Sequence, residues 1–154
     1  MARPGTAELS NGRNEGVIAA FAALLFASTP VPPMVAPAAS WKEVKRPDGT
    51  PAGFQAADLW IDAKTGAHLS LAKFPAGFKE PLHTHSRELR VVVLEGTMRY
   101  VIDGVETADL VHDATVVIPA NLPHYAVCER AASCEVLVQQ DAAMDVKPAT
   151  PNPH

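Results

Sequence analysis

Two of the chain's six histidines form His83-Thr84-His85, inside the stretch Gly77 to Gly96, GFKEPLHTHSRELRVVVLEG. In an extended segment side chains alternate sides, so a His-x-His pair sends both imidazoles to one face of a strand. Glu88 follows closely, and an apolar run, Val91-Val92-Val93-Leu94, leads into Glu95-Gly96. Two imidazoles, a carboxylate and a further histidine arriving from elsewhere would make a divalent metal site of mixed nitrogen and oxygen ligands. His124 is the residue that can arrive. It lies in Leu110 to Val127, LVHDATVVIPANLPHYAV, where Pro119-Ala120-Asn121-Leu122-Pro123 delivers it to the start of a strand.

The other titratable residues read more plainly. His68 follows the turn Thr65-Gly66-Ala67 and reads as an ordinary strand histidine, with a supporting contact to the site as the alternative. His112 takes a turn position, Glu80 precedes Pro81 as a solvated loop residue, and Asp103 is turn chemistry. The Tyr125 ring reads as packing, with its hydroxyl free to bond near the site.

These residues must be positioned by strands. From Trp41 onward the pattern is one of short strands between turns, with no sustained 3.6-residue period. Strands are expected at Leu59–Ile61, Ala67–Phe74, His83–His85, Leu89–Glu95, Thr97–Ile102, Val105–Leu110, Thr115–Ile118, Tyr125–Cys128 and Glu135–Gln139. Pro47-Asp48-Gly49-Thr50-Pro51 reads as a turn, and Asp103-Gly104 as a two-residue hairpin connection. Many short strands without helices indicate an all-β antiparallel sandwich or barrel.

With 154 residues, 47% of them hydrophobic, the chain suffices for one well-cored domain. The net charge of −4, with basic residues scattered, argues against nucleic acid as a partner, because phosphate binding needs clustered cations. Residues 1–38 read as an export signal peptide: Arg3 and Arg13 precede the apolar run Val17 to Ala27, and Ala36-Pro37-Ala38 offers small residues for cleavage. The run is too short to cross a bilayer core of ~30 Å, so no stable membrane anchor is expected after cleavage. A periplasmic or secreted location follows. Residues 39–140 then make the β-barrel domain, and 141–154, polar and rich in proline, a flexible tail that includes His154.

Export bears on the two cysteines. Cys128 and Cys134 sit outside any C-x-x-C or zinc-ribbon spacing, and in an oxidising compartment such a pair is more often bridged than free. A disulfide is the first reading, with Glu129 to Ser133 as the connection of a β-hairpin between them.

The two histidine-bearing stretches together resemble the two motifs of the cupin family. The first motif runs Gly, five residues, His-x-His, three or four residues, Glu, six residues, Gly; Gly77, His83, His85 and Gly96 fit it. The second runs Gly, five residues, Pro-x-Gly, two residues, His; Pro119 and His124 fit, with Asp113 and Asn121 at its glycine positions. Asn tolerates the left-handed conformation better than most residues. The resemblance covers Phe74 to roughly Gln139 and implies a double-stranded β-helix, the jelly-roll cupin barrel, with a metal pocket facing inward. The wider stretch LWIDAKTGAHLSLAKFPAGFKEPLHTHS is similar to exported bacterial cupins of unassigned function.

One departure matters. Counting from Gly96 puts the family's acidic ligand at position 89, where this chain has Leu89. A bulge or shortened loop after His85 would turn Glu88 inward as a ligand, together with Arg90, which could then hold a substrate carboxylate or phosphate bidentately. Otherwise Leu89 faces the pocket and the site is three histidines plus water. The ligand set carried forward is His83, His85, Glu88 and His124, with Arg90 binding substrate.

The resemblance implies one divalent ion, iron first, with manganese, zinc, nickel or copper as alternatives, and a small-molecule ligand or substrate. An iron-type dioxygenase is the expected activity. A non-catalytic cupin that binds metal or a small ligand, or a cupin isomerase, is the alternative. A homodimer is left open.

Overall fold

The computed structural model describes residues 38–150; the expected export signal lies outside them except for Ala38, as do the last four residues with His154. Eleven strands follow one another with no helix among the described residues. They are β1 (Lys42–Lys45), β2 (Pro51–Ile61), β3 (His68–Phe74), β4 (His83–Thr84), β5 (Leu89–Glu95), β6 (Met98–Ile102), β7 (Val105–Glu106), β8 (Thr115–Ile118), β9 (His124–Cys128), β10 (Cys134–Gln140) and β11 (Lys147–Pro148).

All the pairings are antiparallel and build two sheets, one in the order β1-β2-β3-β10-β5-β8 and one in the order β11-β4-β9-β6-β7. The chain changes sheets at every connection except β1 to β2, β2 to β3 and β6 to β7, which is jelly-roll rather than meander connectivity. β3, β5, β9 and β10 alternate strictly between buried and half-buried residues, save for the exposed Glu95 closing β5, the pattern of strands with one face on a core.

That core is graded along the barrel. At one end Phe74, Met98, Cys128 and Cys134 are buried, and Phe74 stacks with Phe54 and Phe78 at ring-centroid distances of 4.9 and 5.3 Å. Val91, Val93, Val136 and Val138 fill the middle, each buried aliphatic side chain contributing roughly 1.5–3 kcal/mol. At the other end the register aligns His68 with Gln140, Gln140 with Leu89, and Leu89 with Ile118 in one sheet, and His83 with His124 in the other. The buried polar residues gather there.

The turns are where the sequence places them, and two carry particular backbone demands. Asp103 and Gly104, with φ of 49° and 80°, join β6 to β7 as the expected hairpin. Gly96 has φ of 78°, and a Cβ there would lie 2.5 Å from the Ser133 carbonyl oxygen and 2.9 Å from Cys134. Only glycine fits so close to β10.

Three expectations are corrected. Cys128 and Cys134 are bonded, with Cα atoms 5.8 Å apart, but they do not flank a hairpin: β9 and β10 belong to different sheets, so the bond ties one sheet to the other. The segment Asp141 to Thr150 does not trail. Lys147 and Pro148 pair with Thr84 and His83, and the Ala149 N–H donates to the Leu82 carbonyl at 3.2 Å, so a backbone ladder holds it. β2 begins at Pro51, where a turn is expected, because the first position of a strand tolerates proline; β1, absent from the expected set, pairs along its outer side.

Candidate metal centre

His83, His85 and His124 converge inside the barrel, each at most 8% exposed, with one ring nitrogen from each lying within 4.8 Å of the others. Their ring centroids are 4.4 to 5.2 Å apart. His83 is placed by the segment before it, which runs along β9: the Glu80 N–H donates to the Ala126 carbonyl at 2.9 Å and the Cys128 N–H to the Phe78 carbonyl at 2.9 Å. His124 comes opposite His83 as its register partner at the start of β9. The loop before β9 is fastened to His85, whose carbonyl accepts from the Asn121 N–H at 2.8 Å. Asp113 and Asn121, which stand at the two glycine positions of the second motif, have φ of 68° and 63°. Both adopt the left-handed conformation that the pattern requires, at a cost that aspartate and asparagine keep small.

Each imidazole is held by a backbone carbonyl. Nδ1 of His83 donates to Pro81 O at 2.8 Å and Nδ1 of His124 to Leu122 O at 2.8 Å, while Nδ1 of His85 donates to the carbonyl of Asp145. A carbonyl oxygen only accepts, so all three rings carry their proton on Nδ1 and, when neutral, leave Nε2 as a bare lone pair. Burial favours that neutral form. Desolvation lowers the pKa of His124 to about 4, against the Leu122 hydrogen bond, which raises it. The pKa of His85 is lowered as well, chiefly by desolvation, with the Asp145 carbonyl opposing and nearby His83 and His68 adding a small push in the same direction as burial. Nε2 of His124 is buried and has no hydrogen-bond partner. A buried nitrogen lone pair without a donor is costly unless a cation accepts it. Three ring nitrogens, oriented by carbonyls and close enough to share one ion, fit a divalent transition metal.

Glu88 is not among them. β5 starts at Leu89, in phase with buried Val91 and Val93, and its pairing with β10 continues without interruption from Leu89 through Val93. Glu88, one residue earlier, therefore points outward, exposed, where its carboxylate meets Arg90 at 2.7 Å. No bulge turns it in. Leu89, only 7% exposed, takes the inward position. Arg90 likewise lies on the outer face, bonded to Gln139 Oε1 at 2.6 Å and Asp141 Oδ2 at 3.2 Å, beside an open groove of about 520 Å³ that none of the three histidines lines. As placed, it cannot hold a substrate at the histidines.

Glu80 also differs from expectation. It is half-buried, Oε2 accepts from the Ala126 N–H at 3.1 Å, and desolvation raises its pKa against the opposing influence of His83 and that hydrogen bond. His112 is exposed beside Asp113, as its turn position suggests.

Against known proteins, residues 70–139 match the family described as "Cupin domain". These residues form a cupin domain. Solved structures agree on the fold. The cupin-2 domain protein Rru_A2000 of Rhodospirillum rubrum superposes with a TM-score of 0.63 at 14% identity, over 77% of this chain and 80% of that one. A cupin 2 conserved barrel domain protein of Rhodopseudomonas palustris gives 0.60 at 16% identity, over 73% and 79%. A chain from the crystal structures of the DMSP lyases RdDddP and RnDddQII gives 0.55 at 18% identity over 63% of this chain. This cupin spans about half of that lyase chain, 53%. No curated protein matches the sequence.

Two features of the cupin's polar end escaped the sequence reading. One is the strap formed by Asp141 to Thr150, which brings Asp145 to His85. The Asp145 carboxylate accepts from the Ser86 N–H at 2.9 Å and the Ser86 hydroxyl at 2.5 Å, and these bonds lower its pKa to about 2. The other is that His68 and Gln140 face inward, buried at 5% and 0% exposure. The signal for His68 was its phase with Ala72 and Phe74 on β3; for the strap, a segment of small, polar and scattered apolar residues with one proline, there was none.

Proposed function

We propose that His83, His85 and His124 hold one divalent metal ion, iron first, and that this cupin is a metal-dependent dioxygenase acting on a small molecule. The observation that supports it is the ligand set: three buried imidazoles, each with Nδ1 held by a backbone carbonyl, and Leu89 where the family keeps an acid. A metal held by three neutral ligands retains its full positive charge and open positions for an oxygen-donor substrate and O₂. When bound, iron would supply Lewis acidity and an electron couple to O₂.

The chain's own residues do the rest. The carbonyls of Pro81, Leu122 and Asp145 fix ring tautomer and direction, so the nitrogens need no reorganisation on loading. Burial keeps bulk water from the ring nitrogens, and Leu89 gives the substrate side an apolar wall. The Cys128–Cys134 bond supports work in an oxidising compartment, as the N-terminal export reading has it. A binding cupin without turnover is the second reading, favoured by the buried polar set, His68, Ser70, His83, His85, His124 and Gln140, which contains no carboxylate to act as a base.

Metal analysis of the anaerobically purified chain tests the first step. One iron per chain is expected, falling to near zero in His124→Ala, and stoichiometric metal in neither form would end the proposal. O₂ consumption with β-diketones and catechols then separates turnover from binding alone.

A further inference from the structure

His68 is prepared in the same way as the three histidines of the metal centre. Its Nδ1 donates to the Ala142 carbonyl at 2.8 Å, with the Gly66 carbonyl at 3.3 Å, so the ring, when neutral, leaves Nε2 as a bare acceptor. That nitrogen is buried and has no partner. On the adjacent strand its register partner is Gln140, wholly buried, whose Nε2 donates to the Arg87 carbonyl at 3.1 Å. This bond directs the amide so that Oε1 is the remaining polar atom, and Oε1 too is buried without a partner. Two neighbouring side chains thus present two acceptors and no donor, inside the end of the barrel that holds His83, His85 and His124. Neither atom reaches solvent, so a donor must come from whatever occupies the barrel interior.

We propose that His68 and Gln140 form an acceptor pair that shares, in a three-centre hydrogen bond, the proton of a hydroxyl group of the small molecule bound at the three-histidine centre. The proposal rests on the metal reading above and names the substrate class for it. An ammonium donor would be repelled by the metal cation, and a carboxylate or phosphate would meet two lone pairs. What suits both is an oxygen-donor molecule with a neutral hydroxyl beside the atom that reaches the metal, such as a catechol or a hydroxy-ketone. His68 is a positioning residue for that hydroxyl and lies outside the close group of ligand atoms.

The test uses the full chain loaded with zinc, which is diamagnetic, and compares catechol with 2-methoxyphenol, in which one hydroxyl is capped. Calorimetry gives the affinity ratio of the two probes for the unmutated protein, for Gln140→Met and for His68→Phe. The expected result is that the ratio falls about tenfold in each variant, the loss of one neutral hydrogen bond, while zinc occupancy stays at one per chain. An unchanged ratio with zinc retained overturns the pair and leaves the metal centre standing. Loss of zinc in His68→Phe alone makes His68 a ligand and also overturns the pair. Failure of zinc to bind the unmutated chain overturns the metal reading instead, and the pair with it. Should the variants not fold, the nitrogen resonance of His68 Nε2 in the unmutated, zinc-loaded protein decides. It must move in the direction of an accepted hydrogen bond when catechol is added, and no movement overturns the pair.

Discussion

β9 carries His124 at one end and Cys128 at the other, and the two ends of the barrel follow opposite rules. Around Cys128 lie Cys134, Met98 and Phe74, all apolar and nearly without exposure, and a covalent bond joins the two sheets. Nothing polar there lacks a partner among the described residues. Around His124 lie His68, His83, His85 and Gln140, equally buried, and three side-chain atoms in that set have no hydrogen-bond partner. One end is complete as a protein interior. The other leaves buried acceptors that an ion or a ligand could satisfy, and the chain bears its cost because the first end holds the sheets together.

Acid should strike the two ends unequally. The His124 pKa is about 4 in the folded chain against 6.5 for an ordinary histidine, so between those values the unfolded chain binds the extra proton. Stability of the metal-free chain should therefore be complete above pH 6.5 and decline towards pH 4, by up to about 3 kcal/mol from His124 alone. Urea unfolding at a series of pH values measures this. His124→Phe, which removes the titration, should flatten the decline, whereas substitution at the disulfide end should leave its slope alone.

The strap gives the next effect. Its Asp145 carbonyl orients His85, and β11 braces β4 beside His83. A chain ending at Ala143 keeps the Ala142 carbonyl for His68 but loses both supports. Its zinc affinity should fall 10- to 100-fold, the usual result of removing an oriented histidine's partner, as a competition titration with a chelator would show. An affinity unchanged by truncation would mean that His85 finds its direction from the barrel alone.

The disulfide end should respond in stability and not in metal binding. Replacing Cys128 and Cys134 with Ser removes a short cross-link, six residues apart in sequence, and should lower unfolding free energy by about 2 kcal/mol. Zinc stoichiometry should remain at one per chain. Loss of zinc in that variant would show the two ends to be coupled and would undo the contrast drawn between them.

Much of this was legible in the sequence because it rests on local pattern. The His-x-His spacing, the second motif that delivers His124, and the Asp103-Gly104 hairpin each depend on residues near one another. The phase of β5 was not legible, because the apolar run Val91 to Leu94 does not alternate and left both Glu88 and Leu89 open until the pairing with β10 turned Leu89 inward. What was not legible depends on partners far away in the chain. The hairpin expected between Cys128 and Cys134 is a crossing between sheets, which five intervening residues allow as readily as a turn. The strap mixes small, polar and scattered apolar residues with no period of its own, and only the sheet edge at β4 gives it a place. The carbonyls of Pro81, Leu122 and Asp145 are backbone atoms, and every residue has one.

The smallest expected effect concerns Glu88, and it is the sharpest test of how the polar end is bounded. Its carboxylate lies outside, 2.7 Å from Arg90, with both side chains 43% exposed. An exposed pair of this kind contributes between nothing and ~1 kcal/mol to stability. Glu88→Gln removes the charge and keeps the shape, so stability should change by less than ~1 kcal/mol and zinc affinity by less than about twofold. A larger loss of affinity would require the carboxylate to reach the metal, and that means a change of register at the start of β5. Such a slip would carry Leu89 to the surface and Arg90 into the barrel, and would break the row that joins Leu89 to Gln140 and Ile118. The cost of burying Arg90 while exposing Leu89 opposes that rearrangement, which is why three histidines, without the acid, mark the limit of the site.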